Sequence, residues 1–137
     1  MFTFKKDERL CSHIKIEQLF ATGKSFLLYP YRIIWLTDVD TAFHSQLLIS
    51  VSKRNFRRAV KRNLLKRRIR ESFRKNKQPL YDFLVKNNLK LIFAIVYIAK
   101  EPIAYTQMEY KMIAMVNRLT IEIMNILPVE SDSLPVE

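Results

Sequence analysis

A chain of 137 residues has room for one ordinary hydrophobic core, and with 49% hydrophobic residues it is composed like a folded protein, not a disordered one. One cysteine, one glycine and five prolines exclude a disulfide framework, a closed cysteine zinc centre and a collagen-like or low-complexity chain. The formal charge of +11 points to an anionic partner.

Ser12 is placed to cap a helix over residues 13 to 22, in which Ile16, Leu19 and Phe20 fall at i, i+3 and i+4. Gly23 follows, where a left-handed residue would end that helix. Phe26 to Leu36, rich in aromatic and β-branched residues, predicts a strand, with Pro30 marking an edge or a bend. Alternation along it sends Tyr31 and Trp35 to one face, Arg32 and Ile34 to the other. Thr37 to Thr41 predicts a turn, and Gln46 to Ser52 a second strand returning as a hairpin. From about Phe56 to Lys75 there is no Gly or Pro, and Leu65, Ile69 and Phe73 recur every four residues as in a helix, which Pro79 ends. Leu89 to Ala99 is a continuous apolar run, the pattern of a strand buried on both faces. A strand, a long helix and a buried strand in succession predict a crossover between parallel neighbours.

Glu101-Pro102 opens a turn, and Tyr105 to Leu127 predicts a last helix with Met108, Met112, Met115, Leu119 and Ile123 as its core stripe. The expected organisation is one domain over residues 1–127 and an acidic, disordered tail over 128–137, where Leu-Pro-Val-Glu occurs twice. The longest apolar run, Leu91 to Ala99, is too short to cross a bilayer, and Met1 to Lys6 lacks the apolar stretch of a signal peptide. The expected compartment is therefore the cytoplasm, with no membrane partner.

The excess charge is concentrated in one place. Residues 53 to 77 hold thirteen of the 24 Lys and Arg and a single acid, Glu71, for a net +12, while the other 112 residues sum to −1. A solvated helix face normally mixes signs, because opposite charges at i,i+4 stabilise a helix and like charges destabilise it. A polyanion would relieve the repulsion and release counterions on binding. At 100° per residue, Asn63, Lys66, Arg67, Arg70 and Arg74 share an arc of roughly 100°, and Leu65 and Ile69 lie opposite. A membrane surface fits less well, since an interfacial helix needs a broad apolar face.

Residues 49 to 77 read Ile-Ser-Val-Ser-Lys-Arg-Asn-Phe-Arg-Arg-Ala-Val-Lys-Arg-Asn-Leu-Leu-Lys-Arg-Arg-Ile-Arg-Glu-Ser-Phe-Arg-Lys-Asn-Lys. They closely resemble the signature of the bacterial ribonuclease P protein component: a Ser-Val-x-Lys-Lys/Arg strand end, an Arg-rich connection and a helix of Arg-Asn-Arg-x-x-Lys-Arg-x-x-Arg-Glu-x-Phe character. The likeness runs over about residues 4 to 126, through Phe4, the Glu8-Arg9-Leu10 start and Phe20 before Gly23. One departure stands out: the family's Arg-Asn-Arg is here Arg62-Asn63-Leu64, and leucine has no donor for a phosphate.

The resemblance implies an α+β domain with a roughly four-stranded mixed sheet, an N-terminal helix, a long basic helix in a left-handed crossover and a C-terminal helix. It implies one subunit of a ribonucleoprotein endonuclease that removes the 5′ leader of precursor tRNA. In that family the RNA subunit performs the hydrolysis with bound Mg²⁺, while the protein positions the RNA and grips the leader. The expected partners are the RNA subunit and precursor tRNA, with no obligate protein partner.

Arginine's planar fork suits bidentate phosphate contact, and lysine acts as a point charge. Asn63 offers donor and acceptor to a sugar hydroxyl or base edge. Lys53, Arg54, Arg57 and Arg58 ahead of the helix, with Arg62, Asn63, Lys66, Arg67, Arg70 and Arg74 along it, are the expected RNA contacts. A single-stranded leader needs rings flanked by positive charge. By family resemblance the candidates are Phe20, Tyr31 and Trp35, with core packing the alternative for Phe20 and Trp35. No catalytic residue or metal ligand is expected in the protein: Asp38 and Asp40 lie in a turn-like stretch, Cys11 and His13 lack further ligands, and His44 has no evident partner. On charge alone two other readings stay open. One is a ribosome-associated or ribosomal-type RNA-binding module; the other is a DNA-binding helix, for which nothing suggests paired half-sites.

Overall fold

The computed structural model describes residues 4–37, 39–41 and 43–127. A 3-10 turn at Lys6–Glu8 leads to α1 (His13–Thr22), β1 (Lys24–Leu28), β2 (Tyr31–Thr37), β3 (Ser45–Val51), α2 (Ala59–Asn76), α3 (Gln78–Lys86), β4 (Leu91–Tyr97) and α4 (Tyr105–Ile126). The first helix has the predicted bounds, and Ser12 Oγ accepts from the Lys15 N–H at 3.4 Å as its cap. The domain's α+β class is as expected; the tail 128–137 and Asp38 lie outside the described residues.

The strands form one mixed sheet in the order β1-β2-β4-β3. β4 is central because Leu91 to Ile95 are all fully buried, so both its faces and both its edges need cover. β2 pairs with it antiparallel, Ile33 opposite Ile95, and β3 pairs with it parallel, Leu47 opposite Phe93. The parallel pair is joined through α2, as the order of elements predicted. The outer edge of β3 is met by the N-terminal segment, where the Leu10 N–H donates to the Leu47 carbonyl at 3.0 Å.

Three expectations need correction. Phe26 to Leu36 is two antiparallel strands, with Leu28 opposite Tyr31 and a cis Tyr29–Pro30 peptide between them; Pro30 has no N–H with which to continue a ladder. β3 does not return on β2 as a hairpin, because β4 lies between them. The hairpin would push the most apolar strand toward an unpaired edge. The basic helix does end ahead of Pro79, at Asn76, but Pro79 also opens a further helix: it occupies the first turn of α3, where a missing N–H is harmless, and Leu80, Tyr81 and Leu84 bury one side of that helix. Gly23 is not left-handed, with φ −69° and ψ 154°. A Cβ there would sit 2.4 Å from the Leu19 carbonyl oxygen and 3.1 Å from that of Trp35, so glycine is required by the close approach of α1 to β2.

Apolar residues from the two sheet faces form two clusters. The larger joins Tyr31, Ile33, Trp35, Leu47, Phe93 and Ile95 to α2, α3 and α4, including the predicted stripe Met108, Met112, Met115, Leu119 and Ile123. The smaller joins Leu10 and Leu19 to Ile34, Ile92 and Ala94 under α1. A buried polar cluster fastens the N-terminal segment to the junction of α2 and α3. Glu8 accepts from the Lys5 N–H at 2.7 Å, from the Tyr81 hydroxyl at 2.6 Å and from the Lys77 ammonium. That ammonium also lies 5.0 Å from the centre of the Tyr81 ring.

Candidate nucleic-acid interface

Helix α2 is held by one face and leaves the other to solvent. Leu65, Ile69 and Phe73 are fully buried, and the Ser72 hydroxyl, also buried, donates back to the Ile69 carbonyl at 3.0 Å. On the opposite side Asn63 and Arg67 are exposed, while Lys66, Arg70 and Arg74 are half-buried. The predicted cationic arc is therefore present on a surface that the core fixes in place.

The connection ahead of α2 is shaped by its own hydrogen bonds. Ser52 Oγ accepts from the Arg54 N–H at 3.0 Å, and the Ser52 carbonyl accepts from the N–H of buried Phe56 at 3.1 Å. Arg62 reaches back, its Nη1 donating to the carbonyls of Phe56 and Arg57 at 2.8 Å each. Two of its five N–H donors are thus spent on closing the loop. The turn it closes leaves Lys53, Arg54, Arg57 and Arg58 exposed. The first turn of α2 has no acidic residue and no side-chain cap, so the positive end of the helix dipole adds to these charges.

Arg74 differs from the rest. Its guanidinium turns back along the helix onto Glu71, with Nε donating to Oε1 at 3.1 Å, and this pairing holds the Glu71 carboxyl below the usual carboxylate range. The segment's one acid therefore neutralises the last of the predicted contacts.

Clefts border the helix at its N-terminal end and along both flanks. At its N-terminal end, Arg57, Arg58 and Lys61 face Lys100 and Glu101 across an open cleft of about 580 Å³. On one flank Lys66 and Arg70 share a cleft of about 220 Å³ with Arg9, Phe4 and the β3 residues Leu47 to Ile49. On the other flank Leu64, Arg67, Arg68 and Glu71 share one of about 400 Å³ with Tyr105. Arg9, Lys61, Arg68 and Lys100 were not among the predicted contacts. Arg9 and Lys100 lie far from the basic segment in sequence, and only the fold brings them to it.

The sheet supplies a second surface, on the side opposite the predicted one. Tyr31 and Trp35 are buried against the helices, 0% and 1% exposed, and the Tyr31 hydroxyl donates to the Met108 carbonyl at 3.0 Å. Neither ring has a free face, so both leave the set of leader-binding candidates. Alternation correctly separated the two faces of β2, but both are apolar enough to pass for core. The face turned toward α1 carries Leu27, Arg32, Val96 and Ser50 as one row across all four strands. Leu27 and Arg32 are exposed, and Val96 and Ser50 half-buried. Phe20, on α1, is 50% exposed.

Among the described residues no three His, Cys, Asp or Glu side chains come together as a metal site would need, and no helix is long and apolar enough to cross a membrane.

A family described as Ribonuclease P matches residues 4–120. The ribonuclease P protein component of Porphyromonas gingivalis (strain ATCC 33277) is 40% identical over 101 residues, covering 73% of this chain and 74% of the relative. Among solved structures, the RNase P protein from Thermotoga maritima is 23% identical with a TM-score of 0.63, over 81% of this chain and 96% of that one. The Staphylococcus aureus RNase P protein is 22% identical with a TM-score of 0.61, over 88% and 98%. At those identities the two structures speak for the fold.

Proposed function

The chain belongs to the ribonuclease P protein family, and on that premise we propose how its two surfaces divide the work of the enzyme. It is the protein subunit of an endoribonuclease that matures tRNA 5′ ends, and its partner is RNA. The cationic surface of α2 and its leading loop docks the catalytic RNA subunit. Lys53, Arg54, Arg57 and Arg58 meet phosphates from the loop, and Lys66, Arg67 and Arg70 meet them along the helix, with Asn63 reading a hydroxyl or base edge. Arg62 acts chiefly as the fastener that presents the loop. The observation that carries this assignment is the charge itself, a net +12 over residues 53 to 77 set on a helix whose other face is core.

The row Leu27, Arg32, Val96 and Ser50 beside α1 takes the single-stranded leader of precursor tRNA. Arg32 supplies positive charge and Phe20 a ring, the combination that sequence-tolerant single-strand binding uses. Among the described residues no side-chain cluster has the make-up of a metal site. The Mg²⁺ of the reaction is assigned to the RNA subunit on the family resemblance, and no protein group is given a chemical step.

The test is cleavage of a precursor tRNA by a bacterial ribonuclease P RNA at low Mg²⁺, with and without this protein. Strong stimulation of leader removal is expected, with none from the protein alone. Tight, salt-sensitive RNA binding without stimulation would favour a ribosomal-type module instead.

A further inference from the structure

We propose that the cleft between α2 and the start of α4 captures one unpaired nucleobase of the RNA partner, between Leu64 and the Tyr105 ring, with Arg67 on the attached phosphate. The inference rests on the RNA-docking role given to α2 above. It begins from the departure at Leu64. This residue stands where the family signature has an arginine, in the most cationic stretch of the chain, yet it takes no place in the core. Its neighbour Leu65 is fully buried, whereas Leu64 is half-buried and lines a cleft of about 400 Å³, a volume ordinary for a small-molecule site.

The remaining walls suit a base. Tyr105 offers a ring for stacking, with the Lys75 ammonium 5.6 Å from its centre, and its hydroxyl is buried with no hydrogen bond of good geometry among the described residues, although Lys75 interacts with it. An unmet buried hydrogen bond is costly, and a base edge carries the donors and acceptors that would meet it. Burial raises the Tyr105 phenol above its ordinary range, which keeps it a neutral hydroxyl able to donate. Arg68 donates from Nη1 to the Ile103 carbonyl at 3.0 Å, tying α2 to the residue two before Tyr105 and so fixing the spacing of the walls. Glu71, held by Arg74, is a carboxylate acceptor at the rim. RNA recognition favours unstacked bases laid on aromatic rings, with arginine at the backbone. Replacing the family arginine by leucine gives up one phosphate contact and gains an apolar wall.

The full-length, ¹⁵N-labelled chain titrated at low salt with AMP and, separately, with ribose 5-phosphate tests this. AMP is expected to shift the amides of Leu64, Arg67 and Tyr105 and to bind about tenfold more tightly than ribose 5-phosphate. Leu64→Arg and Tyr105→Ala should each abolish the preference. Leu64→Arg should also weaken assembly with the RNA subunit, whereas a merely missing phosphate contact predicts that it strengthens assembly. Equal binding of the two probes, no binding of either, or AMP shifts confined to other surfaces would overturn the pocket. RNA assembly is measured in parallel: if it is intact while the base preference is absent, the pocket fails alone. If wild-type assembly is itself absent, the docking role fails with it.

Discussion

Glu8 is a carboxyl that burial alone would push toward the neutral form. The hydrogen bonds from the Lys5 N–H, Lys77 and Tyr81, together with the Lys77 charge, outweigh that burial and hold it below its ordinary value of 4.5. Its contribution to stability is therefore present above about pH 4.5 and lost as pH falls through the folded-state value. His44, whose ring lies edge-on to Tyr81 with centroids 4.6 Å apart, is lowered from 6.5, first by burial, which outweighs an opposite pull from Glu8, and then by the lesser repulsion of Lys77 and Lys90. Its neutral form is the folded one, so stability declines as pH drops from about 6.5 toward the folded His44 value. Thermal melting from pH 8 to pH 3 should thus weaken in two stages. Glu8→Gln should remove the lower stage and His44→Phe the upper; an unchanged profile in both variants would mean that this cluster does not set acid sensitivity. Glu8→Ala, which removes the buried carboxylate that Lys77, Tyr81 and the Lys5 N–H all bind, should cost about 3 kcal/mol in urea unfolding. Gly23→Ala makes a separate case at this scale. The added methyl meets backbone oxygens of both Leu19 and Trp35, and α1 must shift off the sheet, at a cost of about 1–3 kcal/mol. A stability equal to wild type would show that the end of α1 is free to move.

At the scale of elements, α2 makes the sharpest prediction because its two faces have separate tasks. Arg67→Glu with Arg70→Glu alters only the solvent side, so circular dichroism and melting should stay near wild type while assembly with the RNA subunit is lost. Unchanged affinity with an intact fold would move the RNA interface elsewhere. The same helix marks how far the sequence was legible. α1, β4, α2 and α4 follow from local periodicity, since each carries its burial pattern within itself, and the crossover follows from their order. The strand order does not, because the partner of β3 is decided by which strand most needs two neighbours, and that competition spans the chain. α3 was missed because Pro79, a stop signal for α2, is also a start signal for the next helix. The cationic arc along α2 was legible, being local and extreme, but Arg9 and Lys100 reach it only through the fold, and the pairings of Arg62 and Arg74 left no sign in the sequence. The rings at Tyr31 and Trp35 were misplaced because alternation distinguishes two faces without saying which one the helices cover.

For the whole molecule, the sheet lies between three helices on one face and α1 on the other, so the two proposed RNA surfaces belong to different layers of the fold. The larger apolar cluster stands behind the first and the smaller one behind the second, with β4 contributing to both. The RNA-docking surface is mostly electrostatic, and its affinity should follow counterion release, with log K falling linearly against log salt at a slope of roughly 0.7 to 0.9 for each phosphate neutralised. Arg67→Ala should reduce that slope by about one and leave base preference unchanged, as expected of a phosphate contact. The row beside α1 carries one strong charge, Arg32, among weakly polar and apolar neighbours, so Phe20→Ala should weaken the grip on the leader with almost no change in slope. Measuring K for the RNA subunit and for a leader-bearing precursor tRNA across a salt series, in both variants, separates the two surfaces. If Phe20→Ala changes the slope as much as Arg67→Ala does, the two residues share one electrostatic surface, and the division of labour between helix and sheet is wrong.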